Sequence, residues 1–348
     1  MGLFTALAPS PYSINAPIIH INIYPLWSYD VAFALYFTEV AGMLMAIIGL
    51  MEWTGKYSKI GKIGGPVVFI TTILAFAFFA SDLGRPTAGT AAPLEALANF
   101  GHSWMARGII FVSGLLLFSF LYTITTFLKS QRLMWLRLTF ATLGFLFGLF
   151  STVYSGFEFA AATGIPFWNN AGVPTLFLAG GAFVGSGLLY LISMGVKGEE
   201  GMRARRLAAK LIAFSGIAEL ASWFLFLASV NTAYVFNEVA YYYLTSQATF
   251  YADLVLSSLA VLLSGFSYLG SVPVKAILGG KGGGQITDLP SWAKATIALA
   301  AIFAIVAAFF TRADILFAGQ YAYMVSPQTP FQLVTNQPIP IGSFGWRG

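Results

Sequence analysis

Two carboxylates in this chain demand a chemical explanation first. Glu39 falls near the middle of the apolar run 29–52, and Glu219 lies about 13 residues into the apolar run 206–233. An acid inside a hydrocarbon layer is costly and marks a functional site by default. Two roles account for such a pair: a proton relay, or protonated side chains hydrogen-bonded between helices. A third acid, Glu158, follows Tyr154 by four residues, so the two share one helical face, near the end of the run 134–161. The hexapeptide Ser81–Pro86 sets Asp82 and Arg85 three residues apart beyond the apolar stretch 67–80. Gly84 there suits a helix C-cap and Pro86 stops the helix. Asp30 and Asp253, near helix starts, complement the helix dipole, and Asp314 stands as a local partner for Arg312.

The elements that position these groups follow from composition. The 348 residues are 58% hydrophobic and 9% charged, with a mean hydropathy of +0.78. Soluble domains carry about 25% charged residues, so the chain reads as an α-helical membrane protein. Eight runs approach or reach the ~20 apolar residues that cross a bilayer: 29–52, 67–82, 106–128, 134–161, 173–196, 206–233, 249–270 and 293–311. The loops 53–66, 129–137, 197–210 and 271–294 hold 14 of the 18 basic residues, and only Arg85, Arg107, Arg312 and Arg347 lie in the opposite set. By the positive-inside rule this alternation puts both termini outside. It also accounts for the net charge of +5 without nucleic acid. No basic segment precedes an apolar stretch at the N-terminus, so no cleaved signal peptide is expected. The glycine-rich run 279–284 lacks the GK[ST] signature of a phosphate cradle and reads as a connector.

Absences narrow the chemistry. There is no cysteine, which excludes disulfides, thiolate metal sites and Cys-held iron–sulfur clusters. The two histidines, His20 and His102, fall outside the spans, so the paired axial ligands of a membrane haem are missing. No lysine sits mid-span to form a Schiff base. What is left is an outer rim of polar and aromatic groups: Asn15, His20, Asn22, Asp82, Arg85, Trp104, Arg107, Tyr154 and Glu158. Such a rim serves equally as an interfacial aromatic belt or as a quinone site. A quinol gives up two protons with two electrons, so its oxygens need hydrogen-bond partners and a titratable neighbour.

"SDLGRP" (81–86) followed by "HSWMARG" (102–108), then "YSGFEFAAATGIPFWNN" (154–170), "AGVPTLFLAGGAFVGSGLL" (171–189) and "TRADILFAGQ" (311–320), resembles the polysulfide reductase membrane-subunit family, also called NrfD/PsrC-like. The resemblance spans about residues 20–325. It implies an all-α polytopic fold of eight transmembrane helices in two four-helix bundles, with an outer N-terminal segment 1–28, a membrane domain 29–320 and an outer tail 321–348. It implies a haem-free subunit of the cytoplasmic membrane that binds menaquinone or another membrane quinone. It also implies an extracytoplasmic four-cluster iron–sulfur partner that serves a molybdopterin (Mo/W) catalytic subunit.

On that basis His20 and Tyr154 hydrogen-bond the quinone oxygens, with Asn15 or Asn22 and Trp104 beside them. Glu158 or Asp82 takes the proton, Arg85 and Arg107 hold the rim, and Glu39 and Glu219 line a proton route. Three other roles stay open: a proton-conducting or conformational subunit in which Glu39 and Glu219 are primary, a structural anchor, and a transporter. The glycine- and proline-broken midplane helices common in transporters are not obvious in the sequence. The terminal substrate resides in other chains.

Overall fold

A computed structural model describes residues 27–82, 100–128, 133–232, 235–271 and 288–324. Nine helices occur among them: α1 (Tyr29–Trp53), α2 (Ser58–Asp82), α3 (Trp104–Phe127), α4 (Met134–Ala160), α5 (Gly172–Met194), α6 (Glu199–Ser229), α7 (Val235–Ser246), α8 (Ala248–Gly270) and α9 (Ser291–Met324). All but α7 are long and apolar enough to cross a membrane, so the protein is a multi-pass, all-helical membrane protein.

Local chemistry fixes the helix starts. Ser28 Oγ accepts the Asp30 N–H at 3.0 Å and Ser103 Oγ accepts the Ala106 N–H at 3.3 Å, each satisfying a donor that a first turn leaves free. The start of α2 is capped from a distance: Glu200 Oε1, on α6, accepts the N–H groups of Lys59 (2.5 Å) and Ile60 (2.8 Å).

The helices run up and down, so their ends collect into two faces. One face carries Trp27, Trp104, Trp168, Asn170, Ser229 and Gln320. Here Trp27 stacks on Trp168 (5.4 Å, 14°) and Asn170 donates to Ser229 Oγ at 2.9 Å. The other carries Glu52, Arg137, Arg205, Asp288 and Lys294. There Glu52 accepts the Tyr122 hydroxyl at 2.7 Å and pairs with Arg137, while Asp288 pairs with both Arg205 (2.9 Å) and Lys294 (2.7 Å). Asp288 lies before α9. Its partial burial works against ionisation, but Lys294, the Leu289 N–H and Arg205 outweigh that and hold its carboxyl below the ordinary value.

Helices α1–α4 pack among themselves, as do α5, α6, α8 and α9, with α1 and α5 at the seam. Burial reflects this: 83% of the apolar core of α1 and 67% of that of α5 are covered, against 28–39% in the other spans. Small residues also let α1 close on α4 within the first group. An ideal Cβ on Gly42 would lie 2.5 Å from the Gly148 carbonyl oxygen, so α1 and α4 touch backbone to backbone, as membrane helices do when packing rather than hydrophobicity drives association. The outer surfaces of α6 and α8 are apolar and bare, with Phe214, Phe224 and Phe266 about 70% exposed, as lipid contact requires.

Four elements differ from the sequence expectation; one is α6, which starts at Glu199 rather than at 206. The short run 67–82 could extend through the Pro66 side, and helix α2 does so, starting as early as Ser58. The segment 234–248, expected as a connector, contains α7, whose aromatic face packs on α9. The last span continues to Met324 rather than ending at 311, which moves Arg312 from an outer loop into the protein interior.

Candidate functional site

At the Trp27 end, α4 contributes the predicted Tyr154 and Glu158. Tyr154 is 4% exposed. Its ring lies against Gly108 of α3, where a Cβ would collide with it, and beside Phe111 (6.5 Å). Glu158 is half-buried one turn further along the same face. Trp104 stacks on Phe157 (5.1 Å, 13°), and the Arg107 guanidinium lies 4.7 Å from the Trp104 ring centre. Arg107 also donates to the carbonyls of Gly101 (2.7 Å) and Phe100 (3.2 Å), so it fastens the chain entering α3. The structure thus gathers Trp104, Arg107, Tyr154 and Glu158 on the α3–α4 edge. His20, Asn15, Asn22 and Arg85 lie outside the described residues, as does the side chain of Asp82.

The second concentration of polar groups is deep in the bundle. Glu39 of α1 and Arg312 of α9 form an ion pair, each 1% exposed. Arg312 Nη2 also donates to the Phe177 carbonyl at 2.7 Å, and the guanidinium lies 4.6 Å from the Phe177 ring centre. Glycines on α5 make room: a Cβ on Gly181 would lie 2.8 Å from Glu39 Oε1, and one on Gly180 would lie 2.5 Å from Arg312 Nη1. Asp314 does not pair with Arg312, as the sequence suggested. It accepts the Thr249 hydroxyl at 2.6 Å.

Glu219 of α6 joins a network with α8 and α9. The Thr311 hydroxyl lies 3.1 Å from Glu219 Oε1 and 2.6 Å from Asp253 Oδ2. Ser257 Oγ is 3.1 Å from Asp253 Oδ1, and Trp223 Nε1 donates to Asp253 Oδ2 at 3.0 Å. Asp253 is fully buried, five residues inside α8, so it is part of this network rather than a simple complement to the helix dipole. A hydroxyl held between two carboxyls can accept a proton from one and donate to the other, which is the local requirement for proton transfer. The rungs Asp253–Thr311 and Thr249–Asp314 are one turn apart along α8, and so continue the polar line toward the Trp27 end.

Sequence reasoning identified Glu39 and Glu219 but missed Arg312, Asp253, Thr311 and Ser257 as partners. A signal existed: Asp253 and Ser257 are spaced i,i+4, and the helical period of alanines in α9 (Ala304, Ala307, Ala308) continues through Thr311 to Ile315 and Ala318. Among the described residues no cluster of three His, Asp or Glu side chains could hold a metal ion.

No curated protein sequence matches the chain. A family model does, described as polysulphide reductase, NrfD, over residues 20–324, which includes every described helix. That family comprises quinone-interacting membrane subunits of oxidoreductases whose usual companions are iron–sulfur and molybdopterin subunits. The chain belongs to the NrfD family of polysulphide reductase membrane subunits.

Proposed function

We propose that the chain exchanges electrons between membrane quinone and an extracytoplasmic iron–sulfur subunit, with quinone bound at the Trp27 end. Both termini then face outward from the cytoplasmic membrane, consistent with the 14 basic residues in the opposite loops. The observation that carries the reading is the family match across residues 20–324. The four-cluster partner, its molybdopterin enzyme and the menaquinone-type substrate follow from that family alone.

In this reading Tyr154, buried at the α3–α4 edge, hydrogen-bonds a quinone oxygen, and His20, with Asn15 or Asn22, meets the other. Trp104 and Arg107 hold the wall, Asp82 and Arg85 shape the rim, and Glu158 takes the proton released on oxidation. Quinol oxidation frees two protons and two electrons, so a carboxylate on the quinone-facing side serves as general base. The test is quinol-to-acceptor turnover by the intact complex. Tyr154→Phe and Glu158→Gln should each lower it by about tenfold or more. Unchanged turnover in both would overturn the site.

The buried line Glu39, Arg312, Glu219, Thr311, Asp253 favours a second activity, proton transfer across the bundle coupled to that turnover. Glu219→Gln in liposome-reconstituted complex should abolish proton movement while leaving electron transfer measurable. Intact proton movement would refute it.

A further inference from the structure

Arg312 has more than one carboxylate within reach. An ideal Cβ on Gly180 would lie 2.5 Å from Arg312 Nη1 and 3.0 Å from Glu219 Oε1, so those two atoms are separated by no more than the sum of these distances. The guanidinium already touches Glu39 through Nη2. A gap of that size lies within the reach of an arginine side chain. The notch it would cross exists because residue 180 has no side chain. Arg312 Nε and Glu39 Oε2, both buried, have no hydrogen-bond partner among the described residues, so the guanidinium has a donor to spare in a new position.

The charge balance makes such a move consequential. Among the described residues, the ionisable groups around Arg312 are Glu39 and Tyr36 from α1, Glu219 from α6, Asp253 from α8 and Asp314 on its own helix; α5 supplies glycines and Phe177. Tyr36 donates its hydroxyl to the Ile305 carbonyl at 2.9 Å, and Asp314 is occupied by Thr249. With Asp314 that makes four carboxyls, Glu39, Glu219, Asp253 and Asp314, to one cation. An unpaired charge in so dry a setting is strongly unfavourable, so neutrality requires three of the four to carry protons. The partner of Arg312 is the one that does not.

We propose that Arg312 is a two-position switch, passing between Glu39 and Glu219 through the Gly180 notch and so determining which of them is ionised. The inference rests on the proton-transfer reading of this line of residues. When Glu39, paired with Arg312, accepts a proton, the guanidinium loses its partner and moves to Glu219. The proton on Glu219 passes to Thr311 Oγ as the hydroxyl hands its own to Asp253, which has released one toward the Trp27 end. One proton enters, one leaves, and the cluster stays neutral at both stages.

The test uses infrared difference spectra of the purified full-length protein, read at the protonated-carboxyl stretch, and does not depend on turnover. In the wild type, Glu219→Gln removes one such band, which identifies the Glu219 signal. Glu39→Gln should remove the same band, because Arg312 then pairs with Glu219 and ionises it. Adding Gly180→Ala to Glu39→Gln should restore it, since the new Cβ occupies the crossing point. A Glu219 band that persists in Glu39→Gln would overturn the switch. A band lost in Glu39→Gln and not restored by Gly180→Ala would overturn the role of the notch. Failure of the proton-transfer reading would instead appear as intact proton movement in liposomes carrying the Glu219→Gln complex, with these spectra unaffected.

Discussion

Replacing Arg312 by methionine isolates the energetics of the buried pair. Methionine keeps much of the stem's volume and removes the charge. Three losses follow. Glu39 keeps a carboxylate that is 1% exposed with no countercharge, the Phe177 carbonyl loses its 2.7 Å donor, and the face of Phe177 loses a cation. Breaking a buried pair by removing one partner costs about 3–5 kcal/mol, because the remaining charge is uncompensated. A stranded carbonyl adds about 1–3 kcal/mol. Relief comes from neutralising the acid, so the double variant Glu39→Gln/Arg312→Met should recover at least about 2 kcal/mol of the loss. The assay is equilibrium unfolding in mixed micelles with rising denaturing-detergent content, run as a double-mutant cycle. A single-variant cost below about 1 kcal/mol, or a double variant that simply sums the two singles, would refute a coupled buried ion pair.

Further outcomes follow from other contacts. Gly42→Val should impair the α1–α4 crossing by about 1–3 kcal/mol or more, since even the first carbon meets the Gly148 carbonyl at 2.5 Å; the same unfolding assay reads it, and a stable variant would contradict the close approach. Gly319→Ala should displace the Trp168 indole that overlies that glycine and donates to the Ile315 carbonyl at 2.8 Å, seen as a shift in tryptophan emission that Gly265→Ala, in open space, does not produce. Asp288 has a folded-state pKa below its ordinary value. Its contribution is therefore complete above the ordinary carboxylate range near pH 4 and is lost as the pH falls through the lowered value. The acid side of a stability–pH curve should flatten in Asp288→Asn, and an unchanged acid limb would deny the contribution of its contacts with Arg205 and Lys294.

The eight spans were legible because hydropathy and loop charge report the same thing independently, and the helices from Tyr29 to Gly270 begin and end within several residues of the expected positions apart from α2, α6 and the unexpected α7. Two of the failures share one cause. A window along the chain treats an arginine as the end of a span, whereas in the folded bundle Arg312 is neutralised by Glu39, 273 residues earlier. Likewise Asp253 resembles a helix-start acid until Trp223, Thr311 and Ser257 enclose it. Helix α7 was obscured because "EVAYYYLTSQ" is too polar to span and too short to be noticed. Tyr154 and Glu158 were legible as a pair because they lie on one helix; partners of buried charges on different helices were not.

The clamp between Trp27 and Gln320 joins the first helix to the last: the Trp27 N–H donates to Gln320 Oε1 at 2.7 Å, and Gln320 Nε2 donates back to the Trp27 carbonyl at 3.1 Å. Chains are synthesised from the N-terminus at about 5–20 residues per second, so α1 is in the membrane many seconds before its partners exist. Throughout that interval both the backbone at Trp27 and the acid at Glu39 await groups on α9. A chain halted before residue 312 would lack the cation that Glu39 pairs with in the folded bundle. The contacts of the first helix are therefore complete only once the last helix has been made.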